Sequence, residues 1–206
     1  MAHPCRPLAL CALLLGVGVS GGCGATSTGA PAAVTSPFTE GDAAVFQNGL
    51  DLVGEPDLLA GPWLESWERD LRTRVRAADI VAVVTIQTVR TDIDLEKRET
   101  YRLVARVERA FVGEPPPELV LVVREDEDGY ETVDENHTGI LADQFLAFVK
   151  YAESDEGPIV PRWHLSPATD QVARRVIDAL GQREIEEREA AAEREGRTRT
   201  IRRPND

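Results

Sequence analysis

Ile80-Val-Ala-Val-Val-Thr-Ile-Gln-Thr-Val89 is the stretch that decides the class of fold. It is β-branched and almost continuously apolar, which predicts a strand buried on both faces. Downstream the period becomes two. Tyr101, Leu103, Ala105 and Val107 alternate with Arg102, Val104, Arg106 and Glu108, so a second strand is expected with one face in water. Gly113-Glu-Pro-Pro-Pro117 is a rigid turn, because each proline fixes φ and lacks a ladder donor. Leu119 to Val123 reads as a third strand and Ile140 to Tyr151, centred on Phe145-Leu-Ala-Phe-Val149, as a fourth. Ile159 to Leu165 is a shorter fifth, with Pro161 placing it at an edge.

Helices flank this set. Pro62 to Ala78 carries Trp63, Leu64, Trp67, Leu71, Val75 and Ala78 at helical spacing, with Glu65, Glu68, Arg69, Asp70, Arg72 and Arg74 between them. Both tryptophans are expected to anchor the core. Ser166-Pro167 is expected to cap and open a second helix, with Val172, Val176, Ile177 and Leu180 as its apolar stripe. The predicted class is α+β, mainly β: a small five-stranded antiparallel barrel between an N-terminal and a C-terminal helix. The globular part spans 38–181, in which Phe38 to Gly61 reads as irregular chain packed on the barrel. From 182 to 206 the composition is Glu, Arg and Ala, with opposite charges four apart (Glu184 and Arg188, Glu193 and Arg197). Such pairs add only ~0.2–0.5 kcal/mol each. A solvated helical extension and an arginine-bearing tail are expected, with a partner-binding helix as the alternative.

The beginning of the chain reads differently. Arg6 and the terminal amine precede an apolar run from Leu8 to Val19, and small residues follow. These are the parts of a secretory signal, assigned to 1–22. The run is too short to cross a bilayer, which takes ~20 residues. From Gly24 to Pro37 the sequence is mostly Ala, Thr, Ser, Gly and Pro, a flexible tether reaching on the order of 20 Å. Cys5 and Cys11 fall within the signal, and no cysteine follows Cys23, so a disulfide cannot hold the domain. The net charge is −13, and loss of Arg6 with the signal makes it −14. That balance argues against nucleic acid as a partner, because basic patches are its footprint.

Two resemblances follow from these residues. Ser20-Gly-Gly-Cys23 at the end of the apolar run resembles the lipobox of bacterial lipoproteins, with Ser20 where the family usually has an aliphatic residue. The resemblance implies acylation of Cys23, a membrane partner through that lipid, and residence in the cell envelope. Gly24, where an aspartate would signal inner-membrane retention, points to the outer membrane. Several acyl chains on Cys23 would hold the domain firmly where one holds it marginally. The second rests on Ala78-Asp79-Ile80-Val81, on Tyr101-x-Leu103-x-Ala105-x-Val107 through Phe111-Val-Gly113, on Leu119 to Val123 and on Phe145-Leu-Ala-Phe148. This ordering resembles uncharacterised bacterial lipoproteins whose domain is similar to the OB-like barrel of netrin and tissue-inhibitor-of-metalloprotease modules. It implies the barrel over residues 75 to 165. The zinc-binding N-terminal cysteine of the animal inhibitors does not carry over, because Cys23 would be acylated and has no partner thiol. The glycine that often precedes the aromatic strand is replaced by Ala142-Asp143-Gln144.

Chemistry-bearing residues are few. There is no G-x-S-x-G elbow and no thiol past Cys23, so hydrolysis would need His137 or His164 as base. His164 lies in Arg162-Trp163-His164-Leu165, where strand alternation predicts a rim histidine bonded to a backbone carbonyl. The acidic stretch Glu125 to Glu131 places Asp126, Asp128 and Glu135 on calcium-ligand positions around Gly129, but Arg124 occupies the first position. A solvated hairpin loop is the competing reading. No cofactor motif is present. The expectation is therefore an envelope-anchored, non-enzymatic binding or structural domain with an envelope protein or small ligand as partner. An exported hydrolase and a calcium-binding adhesion module are the alternatives.

Overall fold

The computed structural model describes residues 37–153, 157 and 159–201, with side chains as far as 195. The expected signal, Cys23 and all of the tether before Pro37 lie outside the described residues, as do the Glu193–Arg197 pairing and the last residues of the tail.

The chain runs α1 (Glu40–Ala43), β1 (Gly49–Leu50), a 3₁₀ turn (Pro56–Leu58), α2 (Pro62–Ala77), β2 (Ile80–Ile93), β3 (Glu99–Val112), β4 (Glu118–Arg124), α3 (Tyr130–Asn136), β5 (Gln144–Glu153), β6 (Ile159–Pro167) and α4 (Asp170–Ile201). The class is α+β, mainly sheet. The strands form one curled, half-barrel sheet in the order β1-β6-β5-β2-β3-β4. Five strands were expected, and the described residues form six. The sixth, β1, comes from the segment read as irregular, and it pairs parallel to β6 through Gly49↔His164 and Leu50↔Leu165. Two residues are too few for periodicity to register, which is why the pattern missed it.

Burial on both faces explains the apolar run in β2. Ile80, Ala82, Val84 and Ile86 point into the curl, where they meet Leu103, Leu121, Ala147, Val149, Trp163 and Leu165. Val81, with Leu146 and Phe148 of β5, points outward beneath Leu71 and Val75 of α2 and Val172 and Val176 of α4. The curl is bridged by a side chain: the Trp163 indole of β6 donates to the Val122 carbonyl of β4 at 2.9 Å. Gly113 ends β3 at φ 74, and a Cβ there would stand 2.3 Å from the Asp79 carbonyl oxygen. Only glycine serves at that turn.

Several expectations need correction. Trp67 is buried, but Trp63 is 78 % exposed, because it stands on the first turn of α2 where no neighbour covers it. Ser166 does not cap α4. It ends β6 with Pro167, and Thr169 accepts the Val172 amide instead. β5 begins at Gln144, since Ile140 to Ala142 is turn. The acidic stretch leads into α3 rather than a hairpin. Its glycine explains this: the Gly129 amide donates to the Gln47 carbonyl at 2.9 Å, and a Cβ there would strike the Asn48 backbone. Past Gly181, α4 continues without a break, and the turn that follows Gly181 is not merely solvated. Arg183 donates to the Val75 and Ala78 carbonyls, capping α2, and Arg76 forks onto Glu186.

Candidate functional site

Several buried polar groups converge where the end of β1 runs alongside β6 beneath α2. Asp51 follows β1, and its amide extends the pairing to the Leu165 carbonyl. The strand then sends His164 and Ser166 to the helix side, since Trp163 and Leu165 fill the curl. One carboxylate oxygen of Asp51 accepts both the Ser166 hydroxyl at 2.7 Å and His164 Nε2 at 3.0 Å. Arg74 of α2 places Nη1 at 3.6 Å from the same oxygen and donates Nε to the Val45 carbonyl at 3.0 Å.

Electrostatics settle the protonation states. Burial pushes His164 down to about 4, and the neighbouring Arg74 charge adds to this, so the imidazole is neutral at pH 7. Asp51 accepts only, so Nε2 carries the proton and Nδ1 is left buried without a partner. Burial pushes the Asp51 carboxyl up, but the hydrogen bonds from His164 and Ser166 and the Arg74 charge together hold it below the ordinary carboxylate range. Burial likewise lowers Arg74, opposed by Asp51 and Asp70.

Serine, histidine and aspartate thus converge, but not in the order that activates a nucleophile. A catalytic serine gives its proton to histidine, which a carboxylate orients from the far side. Here Ser166 is fully buried and bonds the carboxylate directly, and the free imidazole nitrogen faces no hydroxyl. The arrangement works as a pin joining the Asn48–Gly54 segment to β6 and α2. His164 is therefore not the carbonyl-bonded rim histidine that alternation predicts. Asp51 was not singled out in the sequence. Arg74 carried a signal, because it falls on the buried stripe of α2 among Trp67, Leu71 and Val75, where an unpaired cation is costly.

His137 is elsewhere, at the end of α3, bonded to the Asp134 carbonyl and stacked on Tyr101 with ring centres 5.3 Å apart. Asp126, Asp128 and Glu135 stay apart on the surface. Among the described residues no group of three or more His, Cys, Asp or Glu is placed to hold a metal. The acid of this stretch that matters structurally is Glu127, which takes Asn48, Arg162 and the Arg124 amide.

Two depressions among the described residues bear on this. A groove of about 170 Å³ between α2 and α4 is lined by Glu68, Arg72, Arg175 and Asp178, but Arg175 is already paired with Glu68 and Asp57. A cleft of about 350 Å³ lies where β1, the α3–β5 turn and the β6–α4 junction meet. Leu52, Ile140, Phe145 and Pro167 give it an apolar floor, and Asp143 and Thr169 supply polar groups. Such a lining can hold an amphipathic group. No family model, curated protein or solved structure matches this chain.

Proposed function

We propose that this chain is an envelope lipoprotein, anchored through acylated Cys23, whose domain binds rather than catalyses and uses the Leu52–Phe145 cleft to do so. One observation carries the choice of binding over catalysis: His164 and Ser166 are themselves buried and both terminate on the partly buried Asp51 carboxylate, not on a group that a substrate could reach. The hydrolase alternative is then confined to His137, whose Nδ1 is bonded to its own helix. The sheet supports the OB-like reading in part. β2, β3 and β4 follow one another and β5 returns beside β2, a Greek-key order, with α3 in the long connection. It departs from a closed OB barrel in that, among the described residues, no ladder joins β6 to β4, and the Trp163 indole bridges them.

Intact-mass analysis of the chain isolated from bacterial membranes tests the anchor. Loss of residues 1–22 with added acyl mass on Cys23 is expected, and a mass retaining Met1 would sink the reading. A photo-crosslinker at Leu52 tests the cleft against the same probe at Ile185 on α4. One reproducible adduct at Leu52 only is expected, and equal labelling at both positions counts against the cleft.

A further inference from the structure

The margins of the outer strands are partly occupied. On β4 the Val122 carbonyl takes the Trp163 indole, and the Arg124 amide goes to Glu127. β6 carries β1, which in turn abuts Gly129 and Thr132 of α3. β2 is different. It lies beside β5 only as far as Thr85, and Ile86 exchanges bonds with Ala142 and Asp143. From Gln87 to Ile93 it has β3 on one side and, among the described residues, no strand on the other.

The direction of its free groups follows from the hairpin. The Asp94 amide donates to the Arg98 carbonyl, so Asp94 turns its backbone toward β3. Antiparallel alternation then turns Asp92 and Arg90 the same way and leaves the N–H and C=O of Val89, Thr91 and Ile93 facing out. An open row of this kind is a template for another strand.

We propose that this edge pairs antiparallel with the same edge of a second copy, about a two-fold axis through Thr91. In that register the sequence complements itself. Thr91 meets Thr91, Arg90 meets Asp92 of the second copy, and Val89 meets Ile93, the last two matches each occurring twice. Main-chain bonds are exchanged in pairs at Thr91 and at each Val89–Ile93 match. Arg90 and Asp92 occupy the closer, non-bonded positions, where side chains interact most strongly. The single chain leaves Arg90 opposite Arg102 across the β2–β3 pair, a like-charge match, while Asp92 holds Arg102 at 3.4 Å. The second copy brings Arg90 the carboxylate that its own strands do not.

Neighbouring registers fail. An axis through Ile93 sets Asp92 against Asp94, and one through Val89 drives the second strand into the Ala142–Asp143 turn. Ile93, 65 % exposed in the single chain, gains Val89 as a neighbour. This inference uses only the sheet and stands apart from the anchoring.

Native mass spectrometry of the full chain, released from detergent, reads the outcome. The wild type is expected as a dimer. Arg90→Asp and Asp92→Arg should each weaken self-association roughly 10- to 30-fold, because two attractive cross-strand matches become repulsive. An equimolar mixture of the two variants should regain wild-type association, since the acidic pair of one faces the basic pair of the other. Thr91→Pro removes an outward amide without touching the β3 ladder and should give monomer. A monomeric wild type at the highest concentration reached, a dimer undiminished in Thr91→Pro, or a mixture no better than its parts would each overturn the proposal.

Discussion

Replacing His164 by glutamine should make the fold markedly less sensitive to acid. The imidazole is neutral in the folded chain down to a pH of about 4, whereas the unfolded chain protonates near 6.5. Below pH 6.5 the unfolded state therefore binds a proton that the folded state refuses, and stability falls as pH falls. Each pH unit between those values removes about 1.4 kcal/mol, so the full effect approaches ~3 kcal/mol at pH 4 and then levels off. Asp51, with its carboxyl held low, acts in the same direction at more acid pH, because stability present above the ordinary carboxylate pKa is lost as it protonates. Glutamine places an amide N–H near the position of Nε2, so the bond to Asp51 is kept while the titration is removed. Urea unfolding followed by the fluorescence of buried Trp67 and Trp163, repeated from pH 7 to pH 4, measures both chains. The wild type should lose ~3 kcal/mol more than the glutamine variant over this range. Parallel stability curves would refute the neutral, buried imidazole.

Other expectations follow from the same packing. Arg74→Met strands the Asp51 charge and should cost about 3–5 kcal/mol in chemical denaturation, whereas adding Asp51→Leu should recover little, because it leaves the buried His164 and Ser166 donors without their acceptor. Ala142 sits at φ 66, where an alanine is strained by about 1–2 kcal/mol, so Ala142→Gly should raise stability by ~0.5–1 kcal/mol in chemical denaturation. Trp67→Ala should cost about 3–5 kcal/mol and Trp63→Ala within about 0.5, since only the former is buried. Excess calcium or chelator should leave the melting temperature unchanged, because Asp126, Asp128 and Glu135 do not converge.

What could be read in the sequence was whatever repeats. β2, β3 and β4 announce themselves through β-branched runs and alternation, and α2 and the start of α4 through a stripe of period 3.6. β1 has no period to show, and its existence depends on Gly49 lying against Gly129, a contact between segments far apart in the chain. Ser166 illustrates a local rule overridden by tertiary structure. Ser-Pro is a good helix opening, yet the partly buried carboxylate of Asp51 attracts the hydroxyl and the strand runs on through Pro167. The absence of a glycine at Ala142 was visible in the sequence, but the strain was not, because only the fold shows that the chain turns through the left-handed region there anyway. The polar pin was legible only as a cation on an apolar stripe. Its other members come from distant segments, and a sequence does not say which acid will meet that cation.

The indole bridge from Trp163 to Val122 has a consequence for how this architecture can vary. A ring closed by a ladder changes girth only if a strand is added or its register slips. Here one indole hydrogen bond spans the gap between β6 and β4. Exchange of that one side chain for a shorter one would open a seam along the interior, and a chain built this way can turn a solid heart into a hollow one by changing a single codon.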